Sequence, residues 1–421
     1  MLQTARQDPI YIKQTLPLNI LFIFPIMATR VYNCTLSTST ILWQSAFLLI
    51  YSCAVILIPP RKKAYRRLSV VALTYITYLT QTSLLETCLN PHWRAIGTPL
   101  LWIQLLSASE LITVSSVSPS TFLETCQASK LSTVVAIFQG ILLLWNLRRI
   151  GTPWAAKNVP SRSQQNSVQF VAGRFLRLSL AYVLLDLSVS APGPSQHLLQ
   201  VPKHTLWRLW GLSLEDAAFR TVGSISFWIT VALLLYFLHG TASTAGVILN
   251  LWQTGNCAPL FGSFREAYSL RKFWGVVWHQ CLRQSLCGFA DAFTHSLLRI
   301  PPGTLLSRYA RLTLAFALSG AVHYAADLAM GIPPEEAGGH KFFMLQALLI
   351  MFEDLMQYLM DQLNLINIPR ACVKLVGFTW VLCALAWSTP TWFYPMQRLE
   401  IEPSALMPFR VAIWIKGWTW V

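Results

Sequence analysis

Residues 40–58 read TILWQSAFLLIYSCAVILI, a run with no charged side chain that is closed by Pro59-Pro60. At about 1.5 Å of helical rise per residue, such a run matches the ~30 Å hydrocarbon core of a bilayer. Further apolar runs lie at 131–147, 222–252, 312–324, 342–359 and 373–387, with weaker ones at 16–28, 68–85, 100–117 and 175–191. Lipid offers no partner to a backbone N–H or C=O, so each span must satisfy its own backbone as a helix. The expected fold is an all-α integral membrane protein with roughly eight to ten transmembrane helices and re-entrant or interfacial segments. The whole chain, 1–421, reads as one multi-span membrane domain. Composition agrees: 54% of the 421 residues are hydrophobic and 12% are charged, about half the charge of an average soluble domain.

A net charge of +15 raises the question of nucleic acid. The Lys and Arg residues fall at the ends of apolar runs, where the positive-inside rule places them, and no basic run forms a soluble module. Nucleic acid is therefore not an expected partner, whereas the lipid bilayer is. The nine cysteines form no C-x-x-C pair and no metal-ligand spacing, and most lie in apolar runs as small core side chains. Neither a disulfide framework nor a metal site is expected. The N-terminal MLQTARQDPIYIKQ is too polar for a cleaved signal peptide, so the first apolar run is expected to remain as an anchor.

The densest basic cluster, Arg61-Lys62-Lys63-Ala64-Tyr65-Arg66-Arg67, is expected on the cytosolic face. The sequon Asn33-Cys34-Thr35 lies one span earlier and would be luminal, with Asn33 as the glycosylation candidate. The polar loop 148–174 also begins with two arginines, yet three apolar runs separate it from the Arg61 cluster. An odd number would put the two basic loops on opposite faces, so 68–85 or 100–117 is expected to be re-entrant or interfacial. With the 148–174 loop cytosolic, 175–191 leads to the lumen and 222–252 returns as one long helix, tilted or kinked around Gly240. Residues 253–283 then face the cytosol.

His323 sits within the apolar LTLAFALSGAVHYAAD. An ionisable side chain inside a spanning helix is costly and is a functional candidate by default. Ser319 and Asp327 lie four residues away on either side and share its helical face. Asp327 is placed to accept a ring N–H and fix the tautomer of a general base. A neutral histidine bonded between helices is the bland alternative. His279 follows Arg271-Lys272-Phe273-Trp274-Gly275-Val276-Val277-Trp278, a segment of cations and large aromatics too polar for an ordinary span. Arg271 and Lys272 suit phosphate oxygens, while Phe273, Trp274 and Trp278 suit an interfacial helix without catalytic part. Glu353, Asp354 and Asp361 lie in or just beyond 342–359, where Asp354 faces a polar cavity or pairs with a cation from another helix. Asp186 has the same two readings.

The spacing of Arg271-Lys272-Phe273-Trp274…Trp278-His279-Gln280 and Ser319-Gly320-Ala321-Val322-His323 resembles the paired signature of membrane-bound O-acyltransferases of the wax-synthase-like branch. Residues 149–154, 157–160, 259–262 and 342–354 bring it closer to fungal acetyltransferases that act on terpenoids and meroterpenoids. The resemblance spans 145–390, the expected acyltransferase core. It implies acetyl transfer from acetyl-CoA, a co-substrate rather than a bound cofactor, to a lipophilic alcohol. His323 would be the base and His279 the residue that polarises the carbonyl. Arg271, Lys272 and Arg283 would meet the CoA phosphates, Trp274 being grouped with them, and Ser319, Asp327, Asp354 and Trp278 would support the site. A fatty acyltransferase making wax esters is the runner-up, and a transporter the alternative from another class. The implied setting is the endoplasmic reticulum, and the oligomeric state is left open.

Overall fold

A computed structural model describes residues 34–126, 132–160, 165–206, 211–363 and 369–411. Asn33 and the apolar run 16–28 lie outside the described residues. Among the described residues, eight helices are long and apolar enough to cross a bilayer. They are α1 (Thr38–Ile56), α2 (Lys63–Thr87), α3 (Pro91–Ser109, extended by a wider π turn to Val114), α6 (Ser167–Val189), α7 (Leu214–Ile248), α10 (Leu305–Met330), α11 (Gly339–Gln362) and α12 with α13 (Arg370–Ser388 and Pro390–Arg398). Between them lie the short helices α4 (Pro119–Thr125), α5 (Thr133–Trp145), α8 (Leu270–Lys272) and α9 (Arg283–Asp291).

Local chemistry sets several of the boundaries. Ser37 caps α1 by accepting from the Thr40 N–H, and Asn90 caps α3 by accepting from His92 and Trp93, with Pro91 at the first helical position. The start of α7 is a capping box in which Ser213 and Asp216 satisfy each other's backbone N–H. At 35 residues α7 is about 52 Å long, so it must tilt or project from the bilayer. It stays continuous through Gly240, where an added Cβ would lie 2.6 Å from Leu178 of α6. Gly240 therefore serves close helix packing.

The arrangement of the N-terminal helices corrects one expectation. Both 68–85 and 100–117 belong to full-length helices, α2 and α3, and the short element is α5, with 13 residues. Thirteen residues make about 20 Å of helix, well short of the hydrocarbon core. Gly140 of α5 lies beside Ser52, one turn from the end of α1, and Ser107 near the end of α3 donates to the Leu144 carbonyl at 2.7 Å. Both contacts lie in the half of the bundle where α1 and α3 end, so α5 ends on that side and is too short to cross from it. Arg66 and Arg149 accordingly meet at one end of the molecule. Arg66 donates to the Ile112 and Val117 carbonyls at 2.8 and 2.5 Å, and Arg149 pairs with Glu110 at 3.2 Å. The basic loops share a face because α2 and α3 cross and α5 does not.

The opposite end of α1 and α2 carries a disulfide between Cys34 and Cys88. The sequence predicts no disulfide framework, since 54 residues separate these cysteines and the α1–α2 hairpin is what brings their Cα atoms to 3.8 Å. A disulfide belongs in an oxidising compartment, which sets this end apart from the basic one. Two parts of the core frame the site. An aliphatic cluster joins α1, α2, α3 and α5 around Tyr51, Leu111 and Leu144. An aromatic cluster gathers Trp228 of α7, Phe273, Trp274 and Trp278 around α8, Phe342 and Phe343 of α11, and Trp392 of α13.

Candidate active site

The close approach of α10 and α11 builds the site around His323. A Cβ at Gly320 would lie 3.1 Å from His340 Cα, and one at Gly339 would lie 3.1 Å from His323 Cβ. Only glycines let the two helices meet here. The ring of His323 lies 4.3 Å from that of Phe343 and 5.0 Å, edge-on, from that of Trp392. Its Nδ1 is 2.8 Å from the Ser319 carbonyl oxygen. A carbonyl only accepts, so Nδ1 carries the proton and Nε2 keeps its lone pair. That is the tautomer a general base requires.

Asp327 does not hold the ring, contrary to the expectation from its spacing. Its buried carboxylate accepts from the Gly339 N–H at 2.8 Å and from the Trp392 indole N–H at 2.9 Å. The unpaired N–H groups at the start of α11 draw an anion more strongly than a neutral imidazole does. Asp327 thereby fixes α11 and Trp392, the two walls of the His323 pocket, and the backbone of Ser319 orients the ring.

His279 is set by a different device. The chain after α8 widens into a π turn, Phe273–Val277, and leaves it with Trp278 in extended conformation. The Gly262 N–H donates to the Val277 carbonyl at 2.8 Å, and a Cβ at Gly262 would lie 2.3 Å from the Val276 oxygen, so the 259–262 segment clamps the turn. Gln280 donates to the Trp274 and Trp278 carbonyls at 3.0 and 2.5 Å, and Arg283 donates to the Gly275 carbonyl at 2.5 Å and to Gln280 at 2.9 Å. Asn158 adds a bond to the same Gly275 carbonyl at 3.0 Å. The His279 Nδ1 is enclosed and has no hydrogen-bond partner among the described residues. Burial, followed by the fields of His323 and Arg148, pushes its pKa down to about 3, so the imidazole is neutral. Trp228 bridges the two histidines' surroundings, edge-on to Trp278 at 4.9 Å and touching Trp392 at 6.5 Å.

The cations expected at phosphates are held by carboxylates or carbonyls. Arg271 is bidentate on Asp354 at 3.0 and 2.5 Å, and Arg308 meets the same carboxylate at 3.0 Å. Lys272 pairs with Glu266 at 2.7 Å and bonds the Tyr268 hydroxyl. Arg283 is spent on the π turn, and Trp274 donates to Gln346 at 3.2 Å inside the aromatic wall. Glu353 accepts from the backbone N–H groups of Leu270 and Arg271 at 2.7 and 3.3 Å. Asp186, the other ambiguous acid, pairs with Arg410 at 3.1 Å. Two apolar grooves of about 520 and 590 Å³ lie between α6 and α7 along Phe175 and Ile248, away from both histidines. Sequence reasoning passed over Trp392 and Gly339, which make the His323 pocket, and His239. The signal for His239 was available: it too is ionisable inside a spanning helix.

A family profile described as membrane bound O-acyl transferase family matches residues 257–345, which contain both histidines. Acetyltransferase pyr8 of Aspergillus fumigatus is 30% identical over 335 residues, covering 74% of this chain and 74% of that protein. Acetyltransferase atnC of Arthrinium sp is 28% identical, covering 65% of this chain and 66% of the relative. Acetyltransferase aurG of Calcarisporium arbuscula is 28% identical, covering 61% and 64%. No solved structure matches the chain. With a base-competent histidine in a membrane helix, a second neutral histidine beside it and relatives matched over most of its length, the chain belongs to the membrane bound O-acyl transferase family and is an O-acyltransferase.

Proposed function

We propose that the protein transfers an acetyl group from acetyl-CoA to a hydroxyl of a terpenoid or meroterpenoid, in the endoplasmic reticulum membrane and as a step of secondary metabolism. The relatives named above are acetyltransferases, which supports the short acyl group. The observation that carries the reading is the bond between His323 Nδ1 and the Ser319 carbonyl, which leaves Nε2 free to take a proton.

In this reading Nε2 of His323 removes the hydroxyl proton as the alcohol oxygen attacks the thioester carbonyl. The C–O bond forms while the carbonyl becomes an oxyanion. A ring N–H of His279 donates to that oxyanion, a contribution of ~3–4 kcal/mol for one well-aimed donor. The intermediate then expels the CoA sulfur, which takes the proton from His323 and leaves as the thiol. No acyl-enzyme forms. The nearby Cys281 fits this route, since burial pushes its thiol above the usual range and disfavours a thiolate nucleophile.

Microsomes carrying the protein, given radiolabelled acetyl-CoA and a panel of hydroxylated terpenoids, are expected to yield acetyl esters identified by mass. His323→Ala is expected to abolish transfer while the protein still accumulates in the membrane. Equal or greater transfer from palmitoyl-CoA would replace the acetyl assignment by a wax-ester one. A fully active His323→Ala protein would remove the mechanism.

A further inference from the structure

Arg148 and Arg149 are adjacent and both buried, at 4% and 0% exposure, but among the described residues only Arg149 has a carboxylate. Arg148 donates to the Pro259 and Ala258 carbonyls at 2.6 and 2.8 Å and to Nε2 of His239 at 3.2 Å, all neutral acceptors. Arg174 of α6 comes to the same place. It is 4% exposed, and its guanidinium lies 5.3 Å from the Phe170 ring and 5.9 Å from that of Tyr236, one helical turn from His239. Its Nε and Nη2 have no hydrogen-bond partner among the described residues. Phe170 packs with Cys257, the neighbour of the Ala258 that Arg148 holds. Burial lowers the hold of Arg148 on its proton, and Arg174 adds a smaller push the same way.

Two buried guanidiniums without an anion among the described residues are costly, because burying an unpaired charge forfeits its hydration. The cost is offset when a ligand supplies the negative charge, and the guanidinium fork matches phosphate oxygens. The position fits a ligand of the reaction. Arg148 ties down the segment whose Gly262 clamps the π turn before His279, and its charge is felt at His279. It also sits at the basic end of the bundle, beside Arg149 and Glu110, which the positive-inside rule makes cytosolic. We propose that Arg148 and Arg174 form a phosphate site that binds the phosphate groups of the CoA donor, with His239 holding Arg148 in place. The proposal rests on the reading that the donor is a CoA thioester. It moves phosphate recognition from Arg271 and Lys272, which are neutralised by carboxylates, to cations that are not.

Arg174 is the residue to change, since its Nε and Nη2 hold no hydrogen bond among the described residues whose loss would disturb the fold. Full-length wild type, Arg174→Gln and Arg174→Lys would be compared in phosphatidylcholine vesicles with acetyl-CoA and with S-acetylpantetheine, which carries no phosphate. Arg174→Gln is expected to cut the KM advantage of acetyl-CoA over S-acetylpantetheine by about tenfold to a hundredfold, the range for a lost charged hydrogen bond. Arg174→Lys should restore part of it. Equal losses with both donors would mark Arg174 as structural and overturn the proposal. So would a change that appears only when phosphatidylglycerol is added, which would make this a lipid-headgroup site. Calorimetry with CoA alone separates the two readings. A wild type that binds CoA while Arg174→Gln binds it as tightly removes only the site, and a wild type that binds no CoA removes the donor reading as well.

Discussion

Two groups of cations flank the histidines, and they differ in what neutralises them. Beside α10 and α11, Arg271 and Arg308 converge on one carboxylate, Asp354, with the Tyr309 hydroxyl 3.3 Å from it. Between α5, α6 and α7, Arg148 and Arg174 converge with carbonyls, a neutral imidazole and aromatic faces around them. In sequence the first group looks the better phosphate site, being dense and next to the His279 motif. In three dimensions its charge is already spent on fixing the π turn to α11. A cation's role follows from its acids, and those come from elsewhere in the chain: Asp354 is 83 residues from Arg271, and Glu110 is 39 from Arg149.

The largest effect should come from turning a paired arginine into an unpaired one. Glu110 and Arg149 are fully buried at 3.2 Å, and Ser115 also donates to Glu110. Glu110→Ala leaves the guanidinium facing, among the described residues, Ser107 and the Leu143, Leu144 and Asn146 carbonyls. The expected cost is ~3–5 kcal/mol, as for a broken buried pair, read by denaturant titration in mixed micelles. If Glu110→Ala lost less than about 1 kcal/mol, neutral acceptors would suffice for a buried arginine and the contrast with Arg148 would collapse.

Asp354→Asn should cost less. Its partners Arg271 and Arg308 are 37% and 50% exposed at the side chain, so water screens them and the loss should be about 1 kcal/mol. The same titration reads it. A loss as large as that of Glu110→Ala would mean that the Asp354 cluster is dry, and that its arginines depend on their acid as fully as Arg149 does.

Much of the site was legible from helical periodicity. The four-residue steps from Ser319 to His323 to Asp327 do place all three on one face of α10. Periodicity reports which residues share a face, not what lies opposite. It therefore missed that Asp327 is taken by the start of α11 and by Trp392, and that a backbone carbonyl orients His323. Hydropathy found every long span among the described residues, because the apolar run itself makes a span. It misjudged α5, since the apolar run 131–147 does not reveal that its helix spans only Thr133–Trp145, with Arg149 bonded back to the Leu143 carbonyl. The Cys34–Cys88 bond and the Arg148–Arg174 site were hidden for the same reason: both depend on residues far apart in sequence meeting across helix pairs.

The smallest effect gives the sharpest test of the comparison. Lys272 was a natural choice for a CoA phosphate, lying next to Arg271 and seven residues before His279. In the fold its ammonium is held by Glu266 and Tyr268, and Lys374 acts on the same Glu266 carboxylate. Its pKa is raised, first by Glu266 and then by Tyr268, which marks an ammonium already provided with acceptors. A phosphate arriving there would have to displace a carboxylate and would meet that carboxylate's repulsion. Lys272→Met is therefore expected to shift the KM for acetyl-CoA by about twofold or less, since a surface ion pair contributes little. Measured beside Arg174→Gln in the same vesicles, the two variants rank the clusters directly. A Lys272→Met effect equal to or above that of Arg174→Gln would mean that the donor opens the Glu266 pair on binding, and would return phosphate recognition to the segment before His279.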